Sequence, residues 1–553
     1  LSTFSSRILA LSTLLLLCAC AEEVQESFPD EDRLLEGLME EYVAARFAFY
    51  PVESTLAGLP GQDALLGSFS HSDINRRVSW LSDFHTKLMG LNLKALSQPS
   101  YLDALWLTSL TKAELFDLEQ RRLWAMSAAF YGENIRTGLV SLLLSPGLAS
   151  RTEELGGRLD AIPTLMSQAQ ENLGEIPDSF RRDGLRSLLR CQDLLSEMPV
   201  LLETSVPAYR VAALSEKSRL AMRSLQTVLS RLSEPPKGAS TAAIVLPLGE
   251  EGLSLYFLHH EMVDWPKEKL RDEARAAISL ATNQLTEVAL ERLSDRDLRT
   301  LLSTTVPSKA PADDVVAFEA RARASLGSGK GLPDEAIPVR LVPPYFIAPD
   351  WVRLWRPASL DPVKGVSLLV GAAAPVDSRE LSLSTLAEVA GGYRLFVLQS
   401  ESASLLRRVF RARTTGEGFV SWLLPRVLEH GYGGDDYELR LLELHRALLE
   451  NLRLEAVVGL HAFGMSLAEA ERRFRDIGYL SREAAADEAE RAAVDPGAGS
   501  AALGRLLLEA LARDYIDSHP LASPAELEDA FLSEGLVPLR LVRFKLLGIK
   551  PSS

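Results

Sequence analysis

From residue 34 onward, apolar residues return every three or four positions, and that period restricts the chain to a mainly helical architecture. The pattern runs through RLLEGLMEEYVAARFAFY, INRRVSWLSDFHTKLMGL and YLDALWLTSLTKAELFDLEQRRLWAM. It continues in RLDAIPTLMSQAQENL, DSFRRDGLRSLLRCQDLLSEM and KLRDEARAAISLATNQLTEVALERL. Strand-like stretches are few: AAIVLPL at 243–249, IPVRLVPPYFI at 337–347 and VSLLVGAAA at 366–374. Pro343 and Pro344 confine the second of these to a sheet edge, because proline has no N–H to give to a ladder. Helical spacing resumes at 380 and runs to about 515, with loops expected at 233–241 and 327–336. The expectation is a mainly α, multi-helix protein with one small β-sheet inserted ahead of the helix near 385, and no repeat of fixed period.

The first residues follow different rules. Arg7 precedes ILALSTLLLLCAC, an apolar run too short to span a bilayer, which takes about 20 residues. Its length and flanks are those of a secretory signal peptide. The end of the run, Leu17-Cys18-Ala19-Cys20, resembles a bacterial lipobox, so residues 1–19 read as a lipoprotein signal and Cys20 as the lipidated residue. A plain signal peptide cut nearby is the alternative. Residues 20–33 then form an acidic tether. Ala21, rather than aspartate, follows Cys20, which points to the outer membrane facing the periplasm. After cleavage only Cys20 and Cys191 remain, so no disulfide framework exists, and Cys191 reads as a buried small apolar residue.

At 553 residues, 47% hydrophobic and 24% charged, the chain has the composition of a globular protein. Its net charge of −16 and lack of a basic patch argue against a nucleic-acid partner. Generic motifs give little. Gly329-Lys330 lacks the Ser or Thr and the strand–loop–helix setting of a phosphate-binding loop, and no Gly-x-Ser-x-Gly elbow occurs. His260-Glu261-Met262-Val263-Asp264 could set two ligands on one helix face, but Trp265-Pro266 ends the helix at once. A solvated helix end is the simpler reading.

Several segments, in order, carry a resemblance. Tyr50-Pro51-Val52-Glu53-Ser54-Thr55-Leu56-Ala57-Gly58, the Arg158-Leu159-x-x-Ile162-Pro163 helix and GEGFVSW at 416–422 are three of them. LRLEAVVGLHAFGMSLAEAERRF at 452–474, and Glu490-Arg491 with Pro496-Gly497, complete the set. Together these resemble the domain-of-unknown-function 885 family, bacterial proteins regarded as zinc metallopeptidases of gluzincin type. The resemblance implies a gluzincin-like fold, with a helical half at 34–240 and a metallopeptidase-like half at 241–553.

The family's central motif is His-Glu-x-x-Pro-Gly-His-x-x-Gln, and alignment on Glu417 sets it over Ala387-Glu388-Val389-Ala390-Gly391-Gly392-Tyr393-Arg394-Leu395-Phe396. Both histidine positions are changed, to Ala387 and Tyr393; Val457 stands where an Asp belongs, and Phe419 where a Trp does. Catalytic zinc needs about three protein ligands, and a general base must accept the proton of the bound water. Ala387 has no donor atom, and the Tyr393 phenol, with an ordinary pKa of about 10, binds metal poorly at neutral pH. What remains is Glu388 at the base position, Glu417 at the carboxylate-ligand position, and His461. Two close carboxylates without a cation repel each other, and pairing with Arg394 or Arg413, or exposure in an open cleft, would relieve them.

The leading expectation is therefore an envelope-anchored lipoprotein that binds or scaffolds without catalysis, with a peptide-like ligand and no cofactor. The alternative is a peptidase or dipeptidase-type hydrolase that uses zinc, or a harder cation, through non-standard ligands such as Glu388, Glu417 and His461. In a third reading these residues are ordinary solvated or packed side chains.

Overall fold

The computed structural model describes residues 30–59, 61–234, 248–291, 295–326, 331–347, 350–356, 365–371, 376–434 and 436–548. The signal segment, Cys20 and residues 21–29 of the expected tether lie outside them, while Asp30–Arg33, read as tether, already form the first turn of a helix. No described helix is long and apolar enough to cross a membrane.

The helical period is realised almost everywhere it occurs. The first half contains α1 (Asp30–Phe49), α2 (His71–Met89), α3 (Gln98–Phe116), α4 (Ala128–Leu143), α5 (Thr152–Asn172), α6 (Asp178–Glu203) and α7 (Ala208–Ser233). Then come α8 (Gly249–Glu261), α9 (Lys267–Leu290) and α10 (Pro311–Leu326). Capping marks several boundaries: the Ser70 side chain accepts from Asp73 N at the start of α2, which satisfies one of the free N–H groups of a first turn. Cys191 is free and fully buried, as its apolar flanks imply.

The sheet has three strands, β1 (Val339–Val342), β2 (Val352–Trp355) and β3 (Ser367–Gly371), in the order β1-β3-β2. β3 pairs parallel with β1 and antiparallel with β2. All five β3 residues are buried, which explains why this strand is a continuous apolar run rather than an alternating one. Three expectations need correction here. The strand read at 337–347 is only four residues long, because Pro343 and Pro344 turn the chain into a 3₁₀ turn at Pro344–Phe346; it does lie at a sheet edge. No strand was expected at Val352–Trp355, whose short VRLW sequence carries no turn signals. At 243–249, residues 243–247 fall outside the described set, while Leu248 and Gly249 cap and open α8 instead of ending a strand.

After the sheet come α11 (Ser378–Ala387), α12 (Arg394–Ser400), α13 (Arg413–Val427), α14 (Tyr437–Ala462), α15 (Arg482–Val494) and α16 (Ser500–Ser518). Helix does not stop near 515: Pro524–Leu532 and Leu539–Leu547 follow. The larger apolar core draws on residues from Leu35 to Phe544, and a second is built around α8, α9, α14 and α15. Ion pairs from Arg182 and Arg186 on α6 to Glu490 on α15 tie the first helices to the last.

Candidate functional site

The site begins with a short cap. The Asp377 side chain accepts from Arg379 N and Val306 N, which sets the start of α11. This helix does not run straight into α12. Residues Glu388–Tyr393 form a π-helical turn between them, an extra-residue bulge of a kind that recurs at functional sites. The bulge lies against α13 with no room to spare: a Cβ on Gly391 would overlap Val420. Glycine at this position is therefore a packing requirement.

Ala387 and Tyr393, the two positions that the resemblance sets against histidines, are both buried in the larger apolar core. Burial, with Asp334 nearby, raises the Tyr393 hydroxyl above its ordinary pKa. Glu388 is half-buried beside β2. Burial pushes its carboxyl up, and Arg353, Arg356 and the Leu354 backbone N–H oppose that shift.

Glu417 sits one turn into α13. Arg413 Nε donates to Glu417 Oε1 at 2.7 Å, and Arg413 Nη1 donates to Asp495 Oδ2 at 2.8 Å. Burial alone would lower the Arg413 pKa, but Asp495 and Glu417 outweigh it and hold the guanidinium well above its ordinary value. Asp495 also accepts from Gly497 N at 2.9 Å and so organises the Pro496–Gly499 turn. Of the two relief mechanisms expected for the carboxylates, pairing with Arg413 is present. Arg394 instead pairs with Glu528.

α13 is anchored along its first half. At its start, the Glu261 carboxylate accepts from Thr414 N at 2.9 Å and from Thr414 Oγ1 at 2.6 Å. Further on, Gly418 crosses Gly504 of α16 so closely that a Cβ on Gly504 would overlap the Thr414 carbonyl. The His260–Asp264 stretch is thus neither a metal site nor simply a solvated helix end. Met262 adopts the left-handed conformation and stops α8, so His260 and Asp264 do not share a helix face. His260 stacks on Tyr256 and lies 3.2 Å from Asp117, while Glu261 serves as the cap.

His461 is committed elsewhere. Leu248 N donates to its Nδ1 at 3.2 Å, and its Nε2 donates to Ala492 O at 3.1 Å. Burial drives its pKa down to about 4, which keeps the ring neutral, and both ring nitrogens are used by backbone. His461 feels the charge of Asp495 but belongs to the second core, not to the space beside Glu388. Glu388 and Glu417 do meet electrostatically, through Arg411, which both carboxylates attract. Among the described residues, no three His, Cys, Asp or Glu side chains come together in a way that could hold a metal ion.

Sequence reasoning missed the capping role of Glu261 and passed over Asp495, Arg356 and Arg411. Asp495 had a local signal, since Asp-Pro-Gly favours a side-chain-capped turn. The arginines had none, because nothing in their neighbourhoods marks where a guanidinium will face. Two open surface pockets, one bounded by Asp193, Glu197 and Tyr345 and one by Pro266, Lys269 and Asp272, include neither Glu388 nor Glu417.

The chain is thus a helical body with one three-stranded sheet and a π-bulged helix that carries Glu388. The chain belongs to the DUF885 family, bacterial proteins of unknown function, whose model matches residues 51–546. No protein among the curated ones matches it. A candidate lipoprotein of unknown function from Shewanella oneidensis has the same fold, with a TM-score of 0.70 at 16% identity, over 92% of this chain and 99% of that one. A candidate lipoprotein from Colwellia psychrerythraea aligns with a TM-score of 0.79 at 14% identity, over 94% of this chain and 99% of the other.

Proposed function

We propose that this protein is an envelope-anchored, non-catalytic member of its family that binds peptide-like ligands in a metallopeptidase-like cleft. One observation carries the reading: the two positions where zinc-binding imidazoles belong are a methyl group and a phenol, both packed into apolar core. The other candidate donors support it. Glu417 is ion-paired to Arg413, Glu388 accepts from the Leu354 backbone in the field of Arg353 and Arg356, and both nitrogens of His461 bond to backbone. This set does not fit zinc, which needs about three unencumbered protein ligands and an open position for water. The lipoprotein-like segment ending at Cys20, and relatives in Shewanella and Colwellia described as candidate lipoproteins, support a lipid anchor.

The test is metal content with activity. Purified protein is expected to carry no stoichiometric zinc and to leave dipeptides intact; stoichiometric zinc with cleavage that Glu388→Gln abolishes would replace this reading with a hydrolase. A panel of short peptides should bind wild type and bind Glu417→Ala differently. Cys20→Ser is expected to move the protein from the membrane to the soluble fraction.

A further inference from the structure

Edge strand β1 has an open side. Leu368 N donates to Pro338 O at 2.8 Å, and a parallel ladder then turns Pro338, Arg340 and Val342 toward β3. The N–H and C=O groups of Val339 and Leu341 point the other way. Among the described residues nothing bonds to them, and Leu341 is 57% exposed. The chain then turns at Pro344–Phe346, and Arg136 Nη1 holds that turn by donating to Phe346 O at 2.8 Å. Between this stretch and α6 lies a hollow of about 450 Å³, at the small end of ligand pockets. Leu341, Pro343, Pro344 and Tyr345 form one side of it, and Asp193 and Glu197, one turn apart on α6, form the other. The Tyr345 hydroxyl donates to Glu197 Oε2 at 2.7 Å. Among the described residues the exposed Asp193 carboxylate has no hydrogen bond or ion pair, and no basic side chain pairs with Glu197. Arg340, the cation on the strand itself, donates instead to Leu144 O at 3.2 Å.

We propose that β1 accepts an extended basic peptide segment of a partner protein as an added strand, with one lysine or arginine side chain held between Asp193 and Glu197. This surface includes neither Glu388 nor Glu417 and is separate from the cleft. An added strand supplies the hydrogen bonds that Val339 and Leu341 leave to water. Only those two residues face outward, so main-chain pairing alone gives little affinity, and the side chain at the hollow supplies the rest. Residues opposite each other on paired strands lie about 5 Å apart, so one facing Leu341 stands at the mouth of the hollow. There the stem of a lysine or arginine packs on Leu341 and Pro344 while its head meets two carboxylates. Charge selects the occupant: an acidic segment is repelled, and a second copy of β1 would bring its own Asp193 and Glu197 against this pair.

The experiment is fluorescence anisotropy of labelled peptides on the whole chain: Thr-Val-Lys-Val-Thr-amide, the same peptide with Glu for Lys, and the lysine peptide N-methylated at its central residues. The lysine peptide is expected to bind at least about tenfold more tightly than the glutamate peptide, and N-methylation to remove binding. In wild type the lysine peptide should also slow hydrogen exchange at Val339 and Leu341. Asp193→Asn combined with Glu197→Gln should erase the preference for lysine, since the glutamine still accepts from Tyr345 and the fold is kept. Glu417→Ala should leave the preference intact. Absence of binding, equal affinity for the lysine and glutamate peptides, or binding without exchange protection overturns the site. So does loss of the preference in Glu417→Ala, which would put the lysine in the cleft and leave the peptide reading of the cleft standing. A dimer that Leu341→Pro dissociates in size-exclusion chromatography would make a second copy the occupant of β1 and overturn the partner peptide.

Discussion

The backbone N–H of Leu248 donates to Nδ1 of His461, 213 residues away in sequence, and so helps close α8 onto the end of α14. This bond needs a neutral ring, because a protonated imidazole has no lone pair to accept with. Folding depresses the His461 pKa from 6.5 to about 4, chiefly by burial, which amounts to roughly 3 kcal/mol of linkage. The stability it represents is complete above pH 6.5 and is lost as pH falls through about 4. Urea midpoints at pH 7 and pH 4.5 should fall further apart in wild type than in His461→Gln. Some acid loss should persist, since burial also lowers His259 to about 4. Identical losses in the two proteins would show that the ring is not buried neutral.

Glu443 has the opposite sign. Buried on α14, it is raised to about 7 by burial and then by Glu450. Its contribution is complete below the ordinary carboxylate range and is lost as pH rises through about 7. Glu443→Gln is therefore expected to stabilise the protein by about 1–3 kcal/mol at pH 8 and to change little at pH 4.5. Thermal melts at the two pH values are sufficient, and a variant less stable at pH 8 would contradict the assignment.

Glu261 caps a helix from outside it. Burial raises its pKa even though Thr414 donates to it twice, so its main value is as an acceptor. Glu261→Ala leaves the Thr414 N–H without its partner and should cost about 1–3 kcal/mol. Glu261→Gln keeps an oxygen in place and should cost clearly less. Hydrogen exchange at Thr414 would speed up in the alanine variant; unchanged exchange would show that Glu261 does not hold the start of α13.

Two glycines predict opposite outcomes. Gly504→Ala forces α16 away from α13 at Thr414 and should destabilise by about 2–3 kcal/mol. Gly37, in the interior of α1, has open space where its Cβ would go. Gly37→Ala should stabilise by about 0.5–1 kcal/mol through helix propensity and reduced freedom of the unfolded chain. Denaturant midpoints would check both, and a neutral Gly504→Ala would mean that the two helices cross less closely.

Much of this protein could be read locally. The three- to four-residue apolar period is set by helix geometry and survives packing, so α1, α2, α3, α5, α6, α9 and most of the helices after 380 were visible in the chain itself. The segments marking the family were visible too, and their structural roles are now concrete. Arg158, fully buried, donates to Thr55 Oγ1 at 2.5 Å and so joins two of those segments, while Glu53 takes both a 2.8 Å and a 2.9 Å bond from Arg46. That Ala387 and Tyr393 carry no imidazole is likewise plain from the sequence, because a side chain's donor atoms are either there or not.

Only the tertiary structure decided where the charges go. Arg413 chose Glu417, four residues along its own helix, but also Asp495, which sequence spacing does not relate to it. Arg394 went to Glu528, Glu261 to the start of α13, and Arg356 and Arg411 to the side of Glu388. A helix period records which face is apolar, and burial enforces it at every turn. An ion pair depends on the endpoints of two long, flexible side chains brought together by the whole fold, and no local pattern encodes that.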